Sequence, residues 1–155
     1  MKTGFGIVSQ VRDRVSHVGH GVIFLHDEKD FPSRLSALYV YLNQVITKYN
    51  PDVIAVENVF LGKNPDSAFK LGHARGVVLC AAALQKIPTV EYATRLVKKG
   101  VAGSGAATKE NVAIALKHQL RLEKIVNDDA SDALALAVFH CQKHLSQMRM
   151  REVTL

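Results

Sequence analysis

The stretch Pro51-Asp52-Val53-Ile54-Ala55-Val56-Glu57-Asn58-Val59-Phe60 predicts a buried β-strand that ends in a carboxylate. Its apolar run, residues 53–56, lies between Asn50-Pro51 and Gly62, which are typical of turns. Glu57 therefore falls at the carboxyl end of a strand, where open α/β sheets bind their ligands. The alternative is an ordinary solvated acid at a strand end, and this segment alone is compatible with both.

The rest of the chain surrounds this strand with further strands and helices. The pattern predicts two strands paired as a hairpin, a helix, the strand above, a long helix, a short strand and two last helices. The predicted elements begin at Thr3, Val15, Asp30, Val53, Asn64, Thr89, Thr108 and Asn127. This order predicts a mixed α/β fold in a single domain, residues 1–143, followed by a tail, residues 144–155, that frays.

The long helix that opens at Asn64-Pro65 carries several small residues. Gly72, Gly76 and residues 81–83, all alanine, leave it thin on one side, so that another helix can approach closely. Such a helix belongs either in the core of one chain or in an interface between two subunits, and the sequence leaves both open.

Composition narrows the class of protein. The 155 residues carry a formal net charge of +6 and a pI near 9.4, which favours a polyanionic partner such as nucleic acid. Cys80 and Cys141 lie within apolar helical patterns, so we interpret them as reduced core residues of a cytoplasmic protein. The chain has neither an apolar run of transmembrane length nor a signal-peptide pattern, which argues against a membrane or exported protein.

Two aspartates near the start of the last helix are the strongest sign of chemistry. Asp129 and Asp132 are three residues apart, so on a helix their carboxylates share one side, and small neighbours leave them open to approach. Acids in a first helical turn are also ordinary capping residues, which is the role we assign to Asp128. If Glu57 joins the pair, three hard oxygen donors need a countercharge, and two Mg²⁺ ions, with Mn²⁺ as an alternative, would supply it for phosphodiester cleavage.

Basic and aromatic residues near these acids are candidates for nucleic-acid contacts. Lys98, Lys99 and Lys109, together with Arg95, could bind phosphates flanking the acidic site, although each could equally be a solvated surface charge. Phe60, next to the predicted strand end, could stack on an unpaired base or simply pack in the core.

Taken together, these residues resemble the RuvC family of Holliday junction resolvases over nearly the whole chain. The resemblance rests on five stretches in the same order: Thr3-Gly4-Phe5-Gly6-Ile7-Val8, Ala55-Val56-Glu57-Asn58-Val59-Phe60, residues 64–76 (NPDSAFKLGHARG), residues 91–98 (EYATRLVK) and residues 129–135 (DASDALA). Several long motifs in order are more specific than any single pair of carboxylates.

The resemblance implies a ribonuclease H-like fold, a mixed sheet flanked by helices. It also implies a homodimer that binds four-way DNA junctions and makes paired Mg²⁺-dependent nicks in recombination and repair, with a branch-migration helicase complex as a further partner. Glu57, Asp129 and Asp132 match the family's metal ligands, Phe60 matches its junction-contacting aromatic residue, and Lys98 and Lys109 match its DNA-contacting lysines.

One family feature has no match in this sequence. The family begins with a central strand ending in Gly-x-Asp-Pro-Gly, whose aspartate is a fourth metal ligand, and only then reaches the hairpin that starts here at Thr3. We therefore expect the first, central strand to be missing from this chain, through a start assigned downstream of the true one, and expect the chain as written to cut junctions poorly or not at all.

Two other functions remain open from the sequence. The chain could be a non-catalytic module that binds junctions, or a ribonuclease H-like nuclease that acts on another nucleic acid. Binding without nicking, even after the missing strand is restored, would favour the first alternative. Cleavage of RNA·DNA hybrids or flaps in preference to junctions would favour the second.

Overall fold

A computed structural model describes residues 1–25, 28–58 and 65–153, with the backbone alone at residue 65 and residues 147–153. The elements in chain order are β1 (Lys2–Val11), β2 (Arg14–Phe24), α1 (Phe31–Tyr49), β3 (Ile54–Glu57), α2 (Pro65–Leu84), β4 (Thr89–Tyr92), α3 (Thr94–Ala102), α4 (Lys109–Leu120) and α5 (Asp128–Val153). The predicted α/β fold class is confirmed.

Contacts group the chain into two compact units. The first unit contains Met1–Thr3 and Ile23–Ala93, and the second contains Gly4–Val22 and Thr94–Leu155. Each unit is described by itself below. The assignment of residues 1–143 to a single domain stays a prediction.

The first unit contains a β-α-β arrangement. Strands β3 and β4 are parallel, with a register that runs from Ile54 opposite Thr89 to Glu57 opposite Tyr92. Helix α2 makes the crossover between them, as parallel neighbours require. The sequence predicted this strand correctly, and Glu57 is its last residue.

Helices α1 and α2 pack together in this unit. Helix α1 starts as predicted, because the Asp30 carboxylate accepts a 2.8 Å hydrogen bond from the Ser33 amide. Its apolar stripe buries Leu38 and Ile46 almost completely. The Arg75 side chain of α2 forms an ion pair with Glu91 of β4, which ties the crossover helix to the strand it leads into.

The second unit packs the β1–β2 hairpin with α3, α4 and α5. A two-residue turn joins the strands, and Arg12 there has a φ of 53°, the left-handed conformation that tight hairpin turns demand. Helix α4 starts as predicted with a capping box between Thr108 and Asn111. The core is formed by residues with at most 5% exposure: Val97, Val101, Val112, Leu116, Ala130, Leu134, Ala135 and Val138.

Three local features differ from the sequence prediction. Helix α3 was not predicted, because Gly100 and Val101 disfavour helix. In the structure, Val97 and Val101 are four residues apart and both are buried. The Phe139 ring lies where a side chain on Gly100 would be. Helix α5 continues to Val153, further than the sequence pattern indicated, and the fraying of residues 144–155 stays a prediction. Cys141 is buried as predicted, but Cys80 is exposed.

No helix in the described part of the chain is both long enough and apolar enough to cross a membrane.

A histidine on β2 holds the loop that precedes α5. The Nε2 atom of His20 accepts a 3.3 Å hydrogen bond from the amide of Val126. A backbone amide can only donate, so the proton of a neutral His20 lies on Nδ1, which donates to Nε2 of His17 at 2.8 Å. Burial, followed by the charge of His17, lowers the pKa of His20.

We expect His20→Ala to lower the free energy of unfolding by about 1 kcal/mol, the contribution of one such hydrogen bond. The stability that His20 contributes in the wild type depends on pH, because the folded state lowers the pKa of its imidazole. This stability is fully present above pH 6.5, the ordinary pKa of histidine, and is lost as the pH falls through the lowered pKa of the folded state. Urea unfolding at pH 7.5 and 5.5 measures both effects. His118→Ala, which removes an exposed histidine from α4, is the control, and an unchanged pH dependence in His20→Ala would contradict this role.

Candidate functional site

The first turn of α5 carries the predicted acidic pair. Its cap is Asn127, whose side-chain oxygen accepts a 3.0 Å hydrogen bond from the Ala130 amide and whose carbonyl accepts from Ser131. The prediction that Asp128 does only capping is therefore wrong, because the preceding residue performs that task. The Asp128 carboxylate is left at the surface, with 75% of its side chain exposed.

Lys109, the first residue of α4, lies against these acids. Its ammonium is 3.3 Å from Oδ2 of Asp132 and 3.9 Å from Oδ2 of Asp128. The charge and hydrogen bond of Asp132 raise the pKa of Lys109 most, and Asp128 and Asp129 raise it further. Three carboxylates thus create a concentrated negative potential, to which Asp128 contributes although the sequence analysis set it aside.

The acids lie on one side of α5. Successive residues of an α-helix are about 100° apart around its axis, which puts Asp128, Asp129 and Asp132 within about 100° of one another. Asp132 is half exposed, whereas Asp129 is more buried. The predicted pair is therefore brought together on an accessible surface.

Glu57, the third predicted ligand, ends β3 in the first unit and is exposed. The two aspartates belong to the second unit. Within either unit, the described residues contain no group of three His, Cys, Asp or Glu side chains arranged as metal ligands. The shared ligand set of Glu57, Asp129 and Asp132 stays a prediction.

The donor chemistry of the acidic turn fits a divalent metal. Its oxygen donors are carboxylates, the ligands that Mg²⁺ takes from proteins. A cation already lies against them, since the Lys109 ammonium contacts Asp132 in the folded chain. The turn thus attracts positive charge, although it does not form a complete cage by itself.

The predicted DNA-contacting residues divide between two elements. Arg95, Lys98 and Lys99 fall within about 100° on α3, by the same helical geometry, and both Arg95 and Lys99 are exposed. The side chain of Arg95 extends over Gly105 in the loop between α3 and α4. Phe60, the predicted aromatic contact, lies outside the described residues.

The close approach of β1 to α5 was not predicted from the sequence. Gly4 and Gly6 lie directly against the backbone of the acidic helix. The only signal in the sequence was the Gly-x-Gly spacing within a strand, which is typical of close backbone contact but does not identify its partner.

Comparisons with known proteins agree on one family. The family model of the crossover junction endodeoxyribonuclease RuvC matches residues 1–140. RuvC of Bdellovibrio bacteriovorus is 49% identical over 138 residues, which are 89% of this chain and 82% of that protein. RuvC of Pectobacterium atrosepticum is 44% identical over 151 residues, which are 97% of this chain and 88% of that protein.

Solved structures show the same relationship. A structure of Thermus thermophilus RuvC in complex with a Holliday junction substrate has a TM-score of 0.86 at 27% identity, and covers 93% of this chain and 88% of that one. Thermus thermophilus RuvC in a further structure has a TM-score of 0.81 at 27% identity, with 94% and 90% covered. The ribonuclease H-like fold class is thereby confirmed. This chain belongs to the RuvC family of crossover junction endodeoxyribonucleases.

Proposed function

We propose that this chain is a structure-selective endonuclease that resolves four-way DNA junctions in recombination and repair. The observation that carries the proposal is the acidic first turn of α5, where Asp129 and Asp132 share one side and the ammonium of Lys109 offsets their charge. Family membership supplies the substrate class, because a matched Thermus structure is a RuvC in complex with a Holliday junction.

The proposed metal ligands are Glu57, Asp129 and Asp132, and the proposed metal is Mg²⁺, with two ions per subunit and Mn²⁺ as the alternative. When bound, Mg²⁺ would stabilise the negative charge that develops on the phosphate oxygens during hydrolysis. Lys109 neutralises Asp132 in the metal-free chain, and its side chain, 55% exposed, has the freedom to turn to a phosphate oxygen. This agrees with the role in DNA contact that its match to the family implies.

The basic side of α3 is proposed to bind the DNA backbone. Arg95, Lys98 and Lys99 share one side of a helix in the same unit as the acidic turn. Their charges would offset the repulsion between DNA phosphates and the carboxylates. Phe60 is proposed to stack on an unpaired base at the junction.

A homodimer is proposed to form through α2. Helical geometry groups seven residues on one side of this helix, and all are exposed: Phe69, Gly72, His73, Gly76, Cys80, Ala83 and Leu84. Among the described residues, no atom lies within 4 Å of a Cβ added to Gly72 or Gly76. Each glycine costs a helix about 1 kcal/mol relative to alanine, and packing within the chain gives no reason for that cost. Close packing of a second copy of the helix against these glycines would explain why they are present. Two subunits would also account for paired nicks.

The same proposal includes a branch-migration helicase complex as a further partner and a cytoplasmic location. The partner rests on the family resemblance alone, and the location rests on the sequence alone.

Asp132→Asn removes a carboxylate charge while it keeps the side-chain shape. We expect it to weaken divalent-cation binding about tenfold and, when the family's Gly-x-Asp-Pro-Gly strand is added to both proteins, to slow Mg²⁺-dependent nicking of a four-way junction about 100-fold. Junction affinity measured without divalent metal should stay within about twofold, since the acid repels DNA rather than binding it. Isothermal titration with Mn²⁺, gel analysis of nicks and fluorescence anisotropy measure the three quantities.

Asp52→Asn, which makes the same change at an exposed loop position in the first unit, is the matched control. Unaltered nicking by Asp132→Asn would contradict the ligand assignment. Binding of junctions without nicking, even by a protein to which the family's Gly-x-Asp-Pro-Gly strand has been added, would support the non-catalytic alternative. Preferred cleavage of RNA·DNA hybrids or flaps would support a different nucleic-acid substrate.

The double variant Lys98→Ala, Lys99→Ala tests the basic side of α3. If both lysines neutralise phosphates, the slope of log affinity against log salt concentration should fall in magnitude by about 2, because each contact contributes about 0.9. Lys48→Ala, which removes a lysine that lies over the Tyr49 ring on α1, is the control and should leave the slope unchanged. Equal slopes for all three proteins would remove α3 from the proposed DNA contacts.

Gly76→Leu tests the dimer. Leucine suits an isolated helix better than glycine, so the fold should be as stable as the wild type or more so, whereas a close contact between two helices should be lost. We expect sedimentation to show a dimer for the wild type and a monomer for the variant. Ser36→Leu, at an exposed position of α1, adds the same bulk elsewhere and should leave the dimer intact. A wild-type monomer at high concentration would contradict the proposal.

A further inference from the structure

Strand β1 lies in direct backbone contact with the helix that carries the acidic pair. A Cβ atom on Gly4 would collide with the carbonyl of Asp129 and would lie 2.8 Å from the amide nitrogen of Ala130. A Cβ atom on Gly6 would lie 2.6 Å from the nitrogen and 2.8 Å from the Cα of Leu134. These are main-chain atoms, so no side-chain rotation can relieve either contact.

Strand β1 runs alongside helix α5 over the turn that carries the acids. Gly4 and Gly6 point to the same face of β1, about 7 Å apart at the usual strand rise of 3.4 Å per residue. Gly4 meets the main chain of Asp129 and Ala130, and Gly6 meets that of Leu134, which is about 6 Å further along the helix than Ala130 at a rise of 1.5 Å per residue. Asp132 lies between these two contacts along the helix.

The contact lies on the side of α5 opposite the acids. At 100° per residue, Ala130 lies about 150° and Leu134 about 170° from the centre of the side that carries the three acids, whose Asp129 meets Gly4 through its main-chain carbonyl only. Both contact residues are completely buried, whereas Asp132 is half exposed. The backbone of β1 therefore supports the acidic turn from behind.

The second strand of the hairpin holds the segment just before that turn. His20 accepts the hydrogen bond from the Val126 amide, next to the cap Asn127. The start of α5 is thus attached to the hairpin at two independent places, one through β1 and one through β2.

We propose that Gly4 and Gly6 are positioning residues for the acidic pair, and that the β1 backbone sets the position from which Asp129 and Asp132 bind the metal. The inference rests on the proposed function, which makes these aspartates metal ligands. Relief of the 2.6 Å contact at Gly6 to an ordinary 3.4 Å would move helix and strand apart by about 0.8 Å. A displacement of about 1 Å in a reacting group can cost about 100-fold in rate.

The test compares Gly4→Ala and Gly6→Ala with Gly21→Ala. Gly21 lies on the same hairpin, but the three atoms nearest to a Cβ there belong to the Phe5 ring, at 2.9 Å or more, and a side chain can move where a backbone cannot. The measurements are Mn²⁺ binding by calorimetry on the folded protein, junction affinity without divalent metal, and single-turnover nicking at saturating protein.

We expect Gly4→Ala and Gly6→Ala to weaken Mn²⁺ binding about tenfold and to slow nicking about 100-fold, with junction affinity within about twofold of the wild type. Gly21→Ala should leave all three quantities unchanged. If the glycine variants bind Mn²⁺ as the wild type does, or lose junction affinity in the same proportion as Mn²⁺ binding, the positioning role is overturned.

His20→Ala keeps the inference testable if either glycine variant fails to fold. It adds no bulk and removes the hydrogen bond to the Val126 amide together with the one to His17, so we expect a loss of Mn²⁺ affinity of about threefold without loss of junction affinity. An unchanged Mn²⁺ affinity would overturn the role of the hairpin. The variant Asp132→Asn separates the two proposals. If Asp132→Asn binds Mn²⁺ as well as the wild type does, the proposed function is wrong. If Asp132→Asn loses Mn²⁺ binding but the glycine and histidine variants do not, only the positioning role is wrong.

Discussion

Mutual repulsion among the carboxylates in the first turn of α5 is the constraint on which the rest of the site depends. Asp128, Asp129 and Asp132 share one side of a single helix, which keeps their Cα atoms close together whatever their rotamers. The helix dipole offsets part of this cost, and the ammonium of Lys109 offsets more. Lys109 can do so because the capping box at Thr108 fixes where α4 starts and hence where its first residue points.

The acidic turn is therefore held from two directions by different forces. On its exposed side the interaction is electrostatic, long-ranged and exchangeable, since an ammonium can be replaced by another cation. On its buried side the interaction is steric and fixed, because the β1 backbone lies against the helix where Gly4 and Gly6 leave no room for a side chain. A metal site needs this combination: ligands whose position is rigid and whose countercharge can change.

The elements predicted correctly from the sequence are those that depend on interactions between neighbouring residues. The caps at Asp30 and Thr108, and the strand that ends at Glu57, were all readable because each depends on neighbouring residues in the chain. Helix α3 was missed because its stability comes from burial of Val97 against other helices rather than from propensity. The role of Gly4 was missed for the same reason, since a glycine in a strand shows that something approaches but not what. The acidic pair was predictable, but Lys109 was predicted as a DNA contact or a solvated charge and not as the partner of these acids.

The whole chain has a net positive charge whereas its acidic turn is negatively charged, and this difference affects how DNA can bind. A net charge of +6 attracts a polyanion at long range, but salt screens charges beyond about 8 Å, so at contact a phosphate experiences mainly the nearest groups. Beside Asp129 and Asp132 those groups are negative, and one lysine cannot neutralise three carboxylates and a phosphate together. The basic residues of α3 can hold the backbone on either side, yet the phosphate at the acids needs further positive charge. If the proposed function is right, metal binding and close approach of the DNA at this turn are therefore one coupled event, in which each raises the affinity for the other.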